Sequence, residues 1–160
     1  MWCGSLTAVH VLIATDADYM VDDVTAALGG PDVSFTVCRD GRQVADLVLQ
    51  RSHDLAVLDL QSGSMGAMAV TMSLRLDESA GRLPRTNVLM LLDRAADVHL
   101  AKRCAADGWL VKPLDALGLQ RAAEAILHPP AADEPAVDAD HEADGVPVDE
   151  LAEEEPATSG

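Results

Sequence analysis

Apolar residues fall into two alternating rhythms along this chain. Short apolar runs bounded by turn residues read as strands, and segments with apolar positions three or four apart read as helices. Val9–Ala14 (VHVLIA) predicts a first strand, followed by a polar turn at 15–18 with N-cap character. Asp18–Leu28 has helical spacing, with Met20, Val21, Val24 and Leu28 on one side, and Gly29-Gly30-Pro31 stops it. Val33–Cys38 alternates and predicts a strand at or near a sheet edge. Arg42–Gln50 predicts a second helix, with Val44, Leu47 and Val48 inward.

The central stretch is His53 to Met65, HDLAVLDLQSGSM. Its apolar run, Leu55–Leu60, predicts a strand buried on both faces, with Asp59 at its carboxyl end and a Gly/Ser loop beyond. Gly66–Leu76 predicts a third helix whose apolar positions include Met68, Met72, Leu74 and Leu76, the methionines being read as core filling. After a loop at 78–85, Asn87–Leu92 predicts another doubly buried strand, and Asp93–Cys104 a weak fourth helix. Trp109–Val111 predicts a short strand ended by Lys112-Pro113. Leu114–Leu127 predicts a fifth helix, with Leu117, Leu119, Ala122 and Ile126 as its buried face. Five strands alternating with five helices predict an α/β fold with a parallel sheet covered on both faces.

Composition divides the chain. Its 160 residues carry a net charge of −16. Residues 129–160 hold 11 carboxylates, five prolines and no Lys or Arg, whereas all 11 basic residues lie before them. Such a tail cannot bury enough surface to offset its ordering entropy, so it is expected to be disordered or to order along a partner. The expected organisation is an N-terminal extension over 1–8, one domain over 9–128 and an acidic tail over 129–160. The charge argues against nucleic acid, because phosphate contacts need Lys and Arg. An aromatic content of 2% against 49% hydrophobic residues predicts an aliphatic core. Three cysteines without metal-ligand spacing suit a reducing compartment. No signal peptide and no apolar membrane span is legible, so a cytoplasmic protein without direct membrane insertion is expected.

Asp16 and Asp59 each follow or end a predicted strand, where open α/β sheets bind ligands. Carboxylates packed together repel unless a cation lies between them, and a hard ion such as Mg²⁺ suits oxygen ligands. Lys112, at the end of the last strand, can reach the same crevice. Carboxylates, Mg²⁺ and a lysine at the mouth of a sheet describe a phosphoryl site.

In order and spacing, VLIATDAD, HDLAVLDL, VLMLLDRAAD and AADGWLVKPLD resemble a response-regulator receiver domain over residues 9–128. The resemblance implies a doubly wound, flavodoxin-like, five-stranded sheet of order 2-1-3-4-5. It implies Asp59 as phosphoacceptor from a histidine kinase, Lys112 as the partner of that phosphate, and Mg²⁺ held by Asp16, Asp59 and the backbone carbonyl of Gln61. The chain also departs from the family pattern. Thr15 stands where a first acidic residue is usual, so Mg²⁺ is expected to bind weakly or not at all. Leu92 stands where a Ser or Thr hydroxyl is usual, and Asp93 where a small residue is usual. Trp109 occupies the position of the aromatic switch residue. Thr15, Leu92, Asp93 and Trp109 are therefore read as degenerate switch positions.

Two functions follow. One is a single-domain receiver in a phosphorelay. The other, favoured by the departures, is an atypical receiver acting by protein–protein interaction as an accessory subunit of a larger assembly. The Ala/Arg-rich character and acidic tail resemble orphan receivers of high-GC Gram-positive bacteria, a lineage of which is associated with respiratory complex I. That partner would place the protein at the inner face of the plasma membrane. No output domain is expected after the fold, nor any enzymatic residue set. The histidines, His10, His53, His99, His128 and His141, are read as structural or exposed, without evident partners.

Overall fold

The computed structural model describes residues 8–129. The expected extension over 1–8 and tail over 129–160, with Cys3 and His141, fall almost entirely outside the described residues. Five parallel strands form one sheet in the order β2-β1-β3-β4-β5: β1 (Val9–Ala14), β2 (Val33–Cys38), β3 (Leu55–Asp59), β4 (Asn87–Leu92) and β5 (Gly108–Val111). The helices are α1 (Asp18–Leu28), α2 (Val44–Gln50), α3 (Ala67–Ser79), α4 (Val98–Arg103) and α5 (Ala116–Leu127). This is the doubly wound architecture that the alternation predicts, with β2 at an edge.

The period of two along each strand divides the core. Val11, Ile13, Leu55, Val57, Leu89 and Leu91 pack with Met20, Val24 and Leu28 of α1 and with Leu119 and Ala123 of α5. Leu12, Ala14, Ala56, Leu58, Val88, Met90 and Leu92 pack on the other face with residues of α2, α3 and α4. β3 is buried along its whole length, as expected of a strand covered on both sides.

Several details differ from the sequence pattern. Leu60 lies in the turn beyond β3, and α3 extends to Ser79. Met72 is 56% and Leu76 64% exposed, so the methionine row does not fill the core as a whole; Met68 packs against it, while Met72 lies on the far side of α3. Leu117 is likewise exposed, and α5 starts after Asp115, whose carboxylate caps it by accepting from Gly118 N at 2.7 Å. The fourth helix is shorter than predicted. A 3₁₀ turn at Ala95–Asp97 precedes it, and Asp93 lies outside any helix. Gly41–Gln43 is likewise a 3₁₀ turn leading into α2.

Three of the histidines, His10, His53 and His99, have partners. His10 bonds Ser34 across the β1–β2 ladder and meets the Arg51 guanidinium at 2.9 Å. His99 Nδ1 donates to the carbonyl of Ala96 at 2.6 Å. His53 is buried, with Nε2 3.3 Å from Thr36 Oγ1. Burial depresses its pKa, with Arg51 and His10 pushing the same way and the Arg51 carbonyl and Asp54 opposing. The unfolded chain therefore binds this proton more readily, and stability must fall as pH drops from about 6.5 through the depressed value. Urea midpoints between about pH 7 and pH 5 should decline more steeply for the wild type than for His53→Gln. Equal slopes would remove His53 as the cause.

Candidate functional site

The site forms because four strands end together and their alternation carries on past the ends. Ile13, Val57, Leu91 and Leu110 all belong to the α1/α5 side of the sheet. Two residues later on each strand come Thr15, Asp59, Asp93 and Lys112. The ladder pairs Ala14 with Leu58, Asp59 with Leu91, and Leu92 with Val111. Four polar side chains are thereby delivered to one edge without any of them crossing the hydrophobic interior.

Asp59 is only 4% exposed, and both its oxygens are engaged. Oδ1 accepts from Lys112 Nζ at 2.7 Å and from Gln61 N at 3.2 Å. Oδ2 accepts from the Thr15 hydroxyl at 3.0 Å. The Lys112 ammonium also donates to Asp93 Oδ1 at 3.0 Å, so one cation is shared between two carboxylates. Burial pulls the Lys112 pKa down, but its hydrogen bonds to Asp59 and Asp93, with their negative charges, outweigh it, and the net direction is up. Lys112 is followed by a cis peptide to Pro113.

Asp16 is exposed and does not cap α1. The cap position is Ala17, and Thr15 Oγ1 accepts from Ala17 N at 3.2 Å. Asp16 instead joins the loop after β3, its Oδ2 accepting from Gly63 N at 3.1 Å. That loop is shaped by glycine. A Cβ on Gly41 would stand 2.1 Å from the Met65 carbonyl, and one on Gly66 would stand 2.6 Å from the Leu60 carbonyl. Only glycine permits these close approaches, which hold the loop at residues 60–66 over the strand end.

Leu92 does not line this edge. It is fully buried on the opposite face of the sheet, within the α2–α4 core. Asp93, just beyond β4, continues the face of Leu89 and Leu91 on which Asp59 lies. An odd residue offset from Leu91 reverses the face, which is why Leu92 and Asp93 point to opposite sides of the sheet. Trp109 is half-buried, packs against the same α2–α4 core, and carries the Lys102 ammonium 5.6 Å from its ring centre. Ser62 Oγ and Asp93 Oδ2 are buried without a hydrogen-bond partner; Ser62 gave no sequence signal, being one of several small residues in the loop.

Beside the site lies a groove of about 360 Å³ lined by Tyr19, Met20, Asp23, Lys112, Pro113 and Leu114, so a ligand seated there reaches Lys112. Among the described residues, no helix is long and apolar enough to cross a membrane, and no three His, Cys, Asp or Glu side chains form a metal-holding group. Mg²⁺ commonly takes one or two carboxylates and keeps several waters. Asp16 is exposed and Asp59 Oδ2 carries a single donor, so each carboxylate retains acceptor capacity for such a sparse donor set.

No model of a known protein family matches the chain. Two curated relatives, from two strains of Mycobacterium tuberculosis and each described as an uncharacterized response regulatory protein, are 29% identical over 133 residues, spanning 79% of this chain and 97% of theirs. The chemotaxis response regulator CheY4 of Vibrio cholerae superposes with a TM-score of 0.66 at 22% identity, over 76% of this chain and all of that one. The chain is similar to response regulators and has the fold of their receiver domains. The signal receiver domain of Mycobacterium tuberculosis NarL matches it with a TM-score of 0.61 at 26% identity, over 72% of this chain and 93% of that one. The receiver domain of a Pseudomonas aeruginosa sensor histidine kinase, solved with magnesium in its active-site cleft, matches with a TM-score of 0.61 at 18% identity, over 76% of this chain and 98% of that one. The shared-lysine arrangement thus lies at the C-terminal edge of a sheet with the receiver fold.

Proposed function

We propose that this receiver acts in two-component signalling chiefly by protein contact, and that Asp59 accepts a phosphoryl group with reduced competence. The observation that carries this reading is the position of Lys112, drawn toward Asp93 as well as Asp59. In the transfer, an Asp59 carboxylate oxygen attacks phosphorus. The bond from phosphorus to the donor nitrogen or oxygen breaks, and the donor leaves with that electron pair. Lys112 neutralises charge at the acceptor. Asp16, Asp59 and the Gln61 carbonyl would hold Mg²⁺, which supplies further charge neutralisation when bound. Thr15 orients Asp59 by its hydrogen bond but contributes no metal charge, which supports weak Mg²⁺ binding.

The favoured output is an accessory role within a larger assembly. Trp109, anchored by core packing and by Lys102, supports a fixed contact surface over a rotating switch. Respiratory NADH dehydrogenase as the assembly, at the inner membrane face, rests on the sequence resemblance; purification of the tagged protein from its host without respiratory subunits would remove it.

Incubation with acetyl phosphate and Mg²⁺, followed by intact mass, tests the acceptor. A minor phosphoryl adduct is expected on the wild type and none on Asp59→Asn. An adduct that persists in Asp59→Asn would move the acceptor elsewhere. No adduct on the wild type would leave only the contact role, and full, rapid conversion would contradict reduced competence.

A further inference from the structure

Asp93 follows β4 and Lys112 follows β5, and the pairing of Leu92 with Val111 sets them side by side. The chain is fastened there by the backbone bond from Lys112 N to the Leu92 carbonyl at 2.8 Å. Asp93 Oδ1 then takes the Lys112 ammonium at 3.0 Å, while Asp59 Oδ1 takes it at 2.7 Å. Two anions therefore lie within hydrogen-bond reach of one cation. The other Asp93 oxygen is shielded from solvent and lacks a hydrogen-bond partner. A carboxylate held so incompletely is retained mainly by its single ionic bond to Lys112.

We propose that Asp93 is a resident anion that takes the place of a phosphoryl group on Lys112 and thereby restrains phosphorylation of Asp59. This rests on Asp59 being the acceptor. Before transfer, Lys112 offsets one of two carboxylate charges. When the new bond forms between Asp59 and phosphorus, and the bond from phosphorus to the acetate oxygen of acetyl phosphate breaks, acetate leaves with the electron pair. The product adds negative charge beside Asp93, and Lys112 must release Asp93 to serve it. Asp93 is thus a positioning residue acting through Lys112. It biases the site toward one arrangement whether or not a donor is present, as differential interaction with two states requires.

The test compares wild type, Asp93→Asn, Asp93→Ser and Asp93→Glu with Asp59→Asn as blank. Adduct formation from acetyl phosphate with Mg²⁺ is followed by intact mass, and beryllofluoride binding by calorimetry. Asp93→Asn and Asp93→Ser should take up phosphoryl about tenfold faster and bind beryllofluoride more tightly, the scale of removing one like charge from a partly hydrated site. Asp93→Glu, which keeps the charge, should stay near the wild type. A structural role alone would not separate Asn from Glu in this way. Asn is close to Asp in shape, so it carries the test if Ser lowers the melting temperature. Neutral variants no faster than wild type, with the blank empty, overturn the restraint and leave the acceptor intact. No adduct and no beryllofluoride binding in any form removes the acceptor reading itself.

Discussion

Arg75→Ala should lower stability by about 3 kcal/mol, seen as a fall of roughly 1.5–2 M in the urea midpoint. Arg75 lies near the end of α3, with its side chain 14% exposed. Its guanidinium donates to Glu78 at 2.7 Å, to Asp107 at 2.6 Å, and to the carbonyls of Ala105 and Thr86 at 3.0 Å each. The same carboxylates hold backbone amides, Glu78 that of Thr86 at 2.8 Å and Asp107 that of Val88 at 2.7 Å. One residue therefore joins α3 to the entry of β4 and to the turn before β5. Removing it strands two carboxylates and two carbonyls, and that loss, more than the worth of the ion pairs, sets the size of the effect. Arg85 is 60% exposed but reaches Asp107 at 2.5 Å and Glu78 at 3.6 Å, which keeps the loss at the lower end for a broken buried pair. Lysine should not rescue, since an ammonium cannot span four acceptors. A loss below about 1 kcal/mol would show that Arg85 replaces Arg75 in full.

Lys112→Met should cost about 2 kcal/mol near neutral pH and abolish phosphoryl uptake. Methionine keeps the apolar stem but leaves Asp59 and Asp93 without their shared cation. Asp59, at 4% exposure, then retains Thr15 and the Gln61 amide as donors. Two neighbouring carboxylates without a cation repel each other, a cost absent from the unfolded chain. Urea melts of the variant and the wild type at neutral pH measure the deficit. A midpoint equal to that of the wild type would mean that the carboxylates do not depend on Lys112 for neutralisation.

Much of the architecture was legible in the chain. β3 and β4 are apolar on both sides because both are covered, and that is a local property of LAVLD and NVLMLL. The stops at Gly29-Gly30-Pro31 and Lys112-Pro113 are equally local. Helix faces were less legible. Met72, Leu76 and Leu117 are as apolar as their buried neighbours, and only the orientation of α3 and α5 against the sheet exposes them. At the site, Asp59, Asp16 and Lys112 were visible as charges at strand ends. The role of Thr15 as donor was not, because its value lies in facing Asp59, 44 positions away. Motif order does not specify a face, whereas the period of two, applied from Leu91, places Asp93 on the side of Asp59 and Leu92 on the other.

By itself, then, the amino-acid order determined the count and kind of elements, the parallel sheet and the charged residues at the strand ends. Those follow from local periodicity and from the cost of burying charge. Only the tertiary structure decided that one lysine serves two aspartates, that Thr15 holds the buried one, and that Leu92 turns away. These depend on strand order and register, which bring together residues from four separate strand ends. No local pattern carries the distances between them, and at a few ångströms those distances decide which charge is satisfied.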